Sequence, residues 1–184
     1  MSNFNPPRRL LLGTVGWERA DWLAGYYPDD LPPDWRLAYY GNDCDCVFIP
    51  GHVWRAADSD LLREQFAQRP SGLRCFVDLG AAQAHECAWL ELLDPERDVL
   101  LGDAIDEHDG RFARWRADGR DTWRDPRSGA CLVLWQALED DLRAWRRRAE
   151  QLDADTRALI IDGDGVGPGR VGELRTLLEL LGRA

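Results

Sequence analysis

Short apolar runs alternate with amphipathic stretches along almost the whole chain, and that alternation leaves few folds open. Residues 9–15, 44–49, 73–79, 98–104, 131–135 and 157–162 read as strands. Residues 34–41, 58–69, 81–93, 138–152 and 171–181 read as helices between them. The clearest is 138–152, apolar at Leu138, Leu142, Trp145, Ala149 and Leu152, with acidic residues first and arginines later, as the helix dipole favours. Strand following helix following strand implies an α/β fold with a mainly parallel sheet and right-handed crossovers. One charged, glycine-bearing segment, 106–129, breaks the pattern and reads as an irregular excursion with a single turn of helix. No repeat or linker divides the chain, so residues 1–184 are expected to form one domain.

Bulk properties narrow the function classes. Acidic residues number 33 against 23 basic ones, and the resulting charge of −10 opposes capture of phosphate backbones and anionic membranes. Every basic residue is arginine, which removes Schiff-base chemistry, a Walker lysine and any lysine general base. No 18-residue apolar run occurs and residues 1–9 carry no apolar leader, so a cytoplasmic protein without membrane contact is expected. The cysteine count of five fits reduced, buried thiols better than a disulfide framework.

Candidate site residues cluster where strands end. Gly13 and Gly16 bracket the end of the first strand, where missing side chains admit a ligand or a second backbone. Trp17, Trp22, Tyr26 and Tyr27 follow, and aromatic faces there would line a small-molecule pocket, although a long loop also needs aromatics to pack itself down. His52 follows the second strand and is the best-placed imidazole. Asp78, Asp103 and Asp162 end three further strands and are the carboxylates suited to acid/base work or metal coordination on one rim. Asp162 and Asp164 would also suit a cation, but no EF-hand continuation follows them. Cys44, Cys46, Cys75, His85 and Cys87 lack metal-ligand spacing, so no metal and no cofactor is expected. Arginines 111, 114, 116, 120, 124 and 127 interleave with Trp115 and Trp123, a pattern that suits nucleic acid, but adjacent aspartates favour a self-paired, solvated segment.

Two stretches carry a resemblance. Gly13-Thr14-Val15-Gly16-Trp17, the spaced Trp22, Tyr27-Pro28 and Tyr39-Tyr40 resemble the opening of the YecE-like family (domain of unknown function 72). Residues 138–181, a helix, a strand and a glycine-bearing loop before a last helix, look like its C-terminal end, and Phe112 to Arg120 is a weaker echo. The resemblance implies a TIM-barrel-like α/β fold, here incomplete or shortened, since family members are longer. It also implies a lost site: where the family has Val-Glu-x-Asn, this chain has Val47-Phe48-Ile49-Pro50, and Asp118 replaces a family histidine. The expected protein is thus a non-catalytic or accessory relative, with a sugar or sugar-phosphate hydrolase or lyase as the alternative and nucleic-acid processing as a weaker one. An incomplete barrel exposes strand edges, which a second copy or a protein partner would cover.

Overall fold

The computed structural model describes residues 9–80, 90–102 and 110–183. Eight strands, β1 (Leu11–Val15), β2 (Cys46–Ile49), β3 (Arg74–Asp78), β4 (Val99–Leu101), β5 (Ala113–Ala117), β6 (Thr122–Arg124), β7 (Cys131–Trp135) and β8 (Thr156–Ile161), close into a barrel in sequence order. All pairings are parallel except the two that β6 makes with β5 and β7. The helices are α1 (Ala20–Leu23), α2 (Arg36–Tyr40), α3 (Gly51–Ala56), α4 (Ser59–Ala67), α5 (Leu142–Glu150) and α6 (Pro168–Leu180).

Closure corrects the expectation of an incomplete barrel, and with it the argument that open edges require a partner. The economy comes from the segment that reads as an excursion: it holds β5 and β6, joined to each other and to β7 by hairpins rather than by crossover helices. Antiparallel strands need only a tight connection, whereas a parallel crossover takes a dozen residues or more. Asp125 builds the second hairpin by accepting from the Arg127 and Ser128 amides and the Ser128 hydroxyl.

The same segment explains its own composition. Trp115 is fully buried and belongs to the apolar filling of the barrel with Leu11, Phe48, Phe76, Leu101, Leu132 and Ile160, and Trp123 packs against that filling. Arg114 and Arg116 occupy the intervening positions and so project from the opposite face of the same strand. Arginine alternating with tryptophan is therefore the two-residue period of a barrel strand. The tryptophans are not on the arginines' side to stack on bases, and Arg124 is paired with Asp118 and Asp153.

A second apolar layer lies between strands and helices, built on Leu12, Val47, Ile49, Val77, Leu159 and Ile161 against Leu37, Phe66, Trp145, Val171 and Leu174. Asp58 caps α4 by accepting from the Asp60 and Leu61 amides, and Asp141 caps α5 through the Arg143 amide, so that α5 begins four residues later than the periodicity of 138–152 suggests. Of the expected helix 81–93, only a 3-10 turn at Leu90–Leu92 falls within the described residues. No helix among them is long and apolar enough to cross a membrane.

Buried polar groups tie these layers together in pairs. Tyr40, fully buried, donates to the Cys46 carbonyl at 2.8 Å and accepts from the Thr14 amide at 3.0 Å, locking α2 to the β1–β2 junction. Burial drives its phenol far above the ordinary range. Asp98 accepts from Arg69 and from the Cys75 and Asp94 amides at 2.8 to 2.9 Å, so no lone pair of consequence is left bare.

Candidate functional site

Gly13 and Gly16 do different jobs. An added Cβ at Gly13 would lie 1.8 Å from the Cys46 carbonyl oxygen, so this glycine exists to let β1 and β2 meet. Gly16 has φ +66°, donates its amide to the Phe48 carbonyl at 2.8 Å, and faces open space. That space is a cleft of about 390 Å³ at the C-terminal ends of β1, β2 and β8, lined by Val15, Gly16, Trp17, Glu18, Arg19, His52, Val53, Ala57, Leu62 and Asp162.

Each wall is held from behind. Gln65 of α4, 1% exposed, accepts from the Trp17 indole at 3.1 Å and donates to Glu18 at 3.0 Å and to the Pro33 carbonyl at 2.9 Å. Trp17 also packs edge-on against Phe66. Arg19 donates to Asp162 at 2.9 Å, to the Gly163 carbonyl at 3.1 Å and to Asp21 at 3.3 Å. Glu18 is paired with Arg36 at 3.0 Å. His52, on the first turn of α3, is exposed and has no hydrogen bond or ion pair among the described residues.

The sequence-derived candidates divide accordingly. Gly16, Trp17, His52 and Asp162 share the cleft. Trp22, Tyr26 and Tyr27 do not line it: the Trp22 indole donates to the Val166 carbonyl, the Tyr27 hydroxyl to the Trp17 carbonyl and the Tyr26 hydroxyl to Asp43. Their rings pack on one another and on Tyr39 and Tyr40. Burial raises the phenols of Tyr26 and Tyr27, with the Asp43 carboxylate adding to the former and Glu18 to the latter. Asp78 accepts from the Gly80 amide in a turn and is not part of the cleft, and Asp103 lies outside the described residues, as do His85 and Cys87.

The position of the expected family carboxylate is apolar in fact as well as in sequence. Phe48 is buried inside the barrel, its ring 5.1 Å from that of Trp123. Pro50, at the expected amide position, is the N-cap of α3. Cys44, Cys46, Cys75 and Cys131 are free and buried, and no group of three or more His, Cys, Asp or Glu side chains suited to a metal occurs among the described residues. Desolvation pushes the thiols of Cys44 and Cys75 up to about 12.

The residues that sequence reasoning missed are Val15, Glu18, Arg19, Val53, Ala57 and Leu62 in the lining and Gln65 behind it. Gln65 carries a signal in retrospect, an amide at a position of α4 flanked by the buried Leu62 and Phe66. Arg19 has none, because its partner Asp162 is 143 residues away.

No protein-family model and no curated protein matches the sequence. The structure is similar to that of a DUF72 family protein from Thermotoga maritima, with a TM-score of 0.53 over 95% of this chain and 100% of that one. Identity across the two is 9%, so the likeness concerns the fold.

Proposed function

We propose that this chain is a divergent DUF72-like barrel protein that binds a small ligand in the β1–β2–β8 cleft without turning it over. The observation that carries the reading is the state of the cleft's carboxylates: Asp162 is held by the Arg19 guanidinium at 2.9 Å and Glu18 by Arg36 at 3.0 Å, and His52 has no hydrogen bond or ion pair among the described residues that would orient it. General acid/base work needs a group poised to exchange a proton with substrate and usually a second group that orients it. Phe48 and Trp123 supply neither where the family resemblance leads one to expect a carboxylate. What supports binding is the combination of an open glycine, a rigid indole and a volume at the lower end of ligand pockets.

The hydrolase or lyase reading retains one favourable observation, that His52 and Asp162 line the same cleft. Thermal denaturation against a panel of sugars, sugar phosphates and aromatic metabolites separates the two, because a ligand that binds only the native state raises the melting temperature. Binding without turnover is the expected outcome. Turnover of a panel member that Asp162→Asn abolishes would establish the enzyme instead, and a panel that shifts nothing would remove both.

A further inference from the structure

The cleft's polar groups are already committed to the protein, and this restricts what enters it. All three guanidinium nitrogens of Arg19 have acceptors within the protein: the amine pair meets Asp162 and the Gly163 carbonyl, and Nε meets Asp21. Its guanidinium also lies over the Trp22 ring, 5.6 Å from the centroid. Glu18 is balanced by Arg36 and receives a second hydrogen bond from Gln65. Each charged side chain on the walls thus already pairs with one of opposite sign, Arg19 being shared by two carboxylates, so an anionic ligand finds no uncompensated cation and no carboxylate is without an arginine. A phosphate in particular would have to displace a carboxylate from Arg19, exchanging one charge-assisted pair for another with little gain.

Between those walls the floor is apolar: Val15, Trp17, Val53, Ala57 and Leu62. A free sugar carries hydroxyls around its ring, and burying them here would leave them without partners, which disfavours its binding. His52 is the polar side chain of the cleft left without a partner among the described residues, and it stands at the mouth, where it is exposed.

Resting on the reading of this cleft as a binding site, we infer that its ligand is an uncharged, predominantly apolar ring molecule bearing a single hydrogen-bonding group that meets the His52 imidazole. The ring lies on Val15, Val53 and Leu62 beside Trp17, the open face of Gly16 leaves room for its edge, and the polar group stays at the mouth. An imidazole nitrogen serves a hydroxyl as acceptor or a carbonyl as donor, so the class includes phenols, aryl alcohols and neutral aryl amides.

The test is a titration of the isotopically labelled full chain, read by amide, indole and methyl resonances of Gly16, Trp17 and Val53. The probes are p-cresol, methyl β-glucoside and glucose 6-phosphate. Saturable shifts at all three residues with p-cresol, and none with the two sugars, are expected. His52→Ala should weaken p-cresol about three- to tenfold while leaving the rest of the spectrum in place. Ala57→Leu, which fills the floor, should abolish the shifts. Saturable shifts at these residues with either sugar overturn the ligand class while the cleft remains a site. Equal p-cresol affinity in His52→Ala overturns the role of the imidazole. Absence of shifts with every probe overturns the inference together with the reading on which it rests.

Discussion

Replacing Gln65 by glutamate tests whether the cleft is held from behind as the geometry implies. The amide accepts from the Trp17 indole and donates both its protons, to Glu18 at 3.0 Å and to the Pro33 carbonyl at 2.9 Å, from a position 1% exposed. Gln65→Glu keeps the shape and the acceptor but puts an oxygen where the donor stood. When ionised, the new carboxylate faces Glu18 and the Pro33 oxygen with no proton to offer, and it is desolvated as well. Both effects favour the neutral acid, so the folded-state pKa of residue 65 rises above the ordinary glutamate value of about 4.3. A group whose folded pKa is raised contributes stability that is fully present below the unfolded pKa and is lost as pH rises through the folded one. Below pH 4 the neutral acid still donates one hydrogen bond, and the deficit relative to the parent should be about 1 kcal/mol. At pH 7.5 two donor contacts are gone and like charges sit a hydrogen bond apart, for a deficit of roughly 3–5 kcal/mol, a large part of a typical domain's stability. Gln65→Leu supplies the control, costing about 2–4 kcal/mol with a much weaker dependence on pH than Gln65→Glu, because the Trp17 N–H and the Pro33 carbonyl lose their partner whatever the pH and only the bond to Glu18 involves an ionisable group. Urea denaturation at pH 4 and 7.5 measures both. A deficit for Gln65→Glu that is the same at the two pH values, or a Gln65→Leu deficit under about 1 kcal/mol, would refute the argument that this amide fixes the cleft wall.

Other perturbations probe the remainder of the molecule. Phe48→Ala opens the barrel filling beside Trp123 and should cost about 3–5 kcal/mol in denaturant midpoints, with a blue-to-red shift in tryptophan emission. Asp98→Ala strands the Arg69 guanidinium and two amides in the interior and should cost at least about 3–5 kcal/mol, whereas Asp162→Asn, whose partners are partly exposed, should cost less than about 1 kcal/mol by the same measurement. Gly13→Ala, with its Cβ driven into the Cys46 carbonyl, should yield no soluble folded protein. Iodoacetamide at pH 8 should leave Cys44 and Cys75 unmodified by mass spectrometry until the protein is denatured, since their thiols stay protonated up to about pH 12.

Local patterns in the sequence are read well where one physical rule dominates. The apolar runs at 9–15, 44–49, 73–79, 131–135 and 157–162 all contain strands, because burial on both faces makes a barrel strand continuously apolar. Asp58 is legible as a helix cap for the same kind of reason, a short-range bond to the next turn. What fails is segment 106–129. The outward residues Arg114, Arg116 and Arg124 of β5 and β6 are charged, so charge density outweighs the alternation that Arg114, Trp115 and Arg116 in fact display. Within the candidate site, Gly16, Trp17, His52 and Asp162 are legible because strand ends on one rim converge in any such barrel. Arg19 and Gln65 are not, since each acts through a partner distant in sequence and only the closed structure brings them together.

The way the barrel closes also bears on where a site can sit. On the side of β8, β1 and β2, each strand is followed by helical segments, α6, α1 with α2, and α3 with α4 respectively. On the side of β5, β6 and β7 the rim carries a hairpin, in which the Asp118 amide meets the Thr122 carbonyl, and the Leu134 amide meets the Asp121 carbonyl. A hairpin of that length satisfies its own backbone and has no second layer to hold a side chain over the barrel axis. Depth on the rim therefore requires the helical connections, and the cleft lies among them. The axis itself is filled by Phe48, Phe76, Trp115 and Trp123, whose rings pack on one another in pairs. A chain that closes its barrel in this manner keeps the glycine and tryptophan after β1 as the edge of a cleft displaced to one side, with a filled axis where a central site would otherwise open.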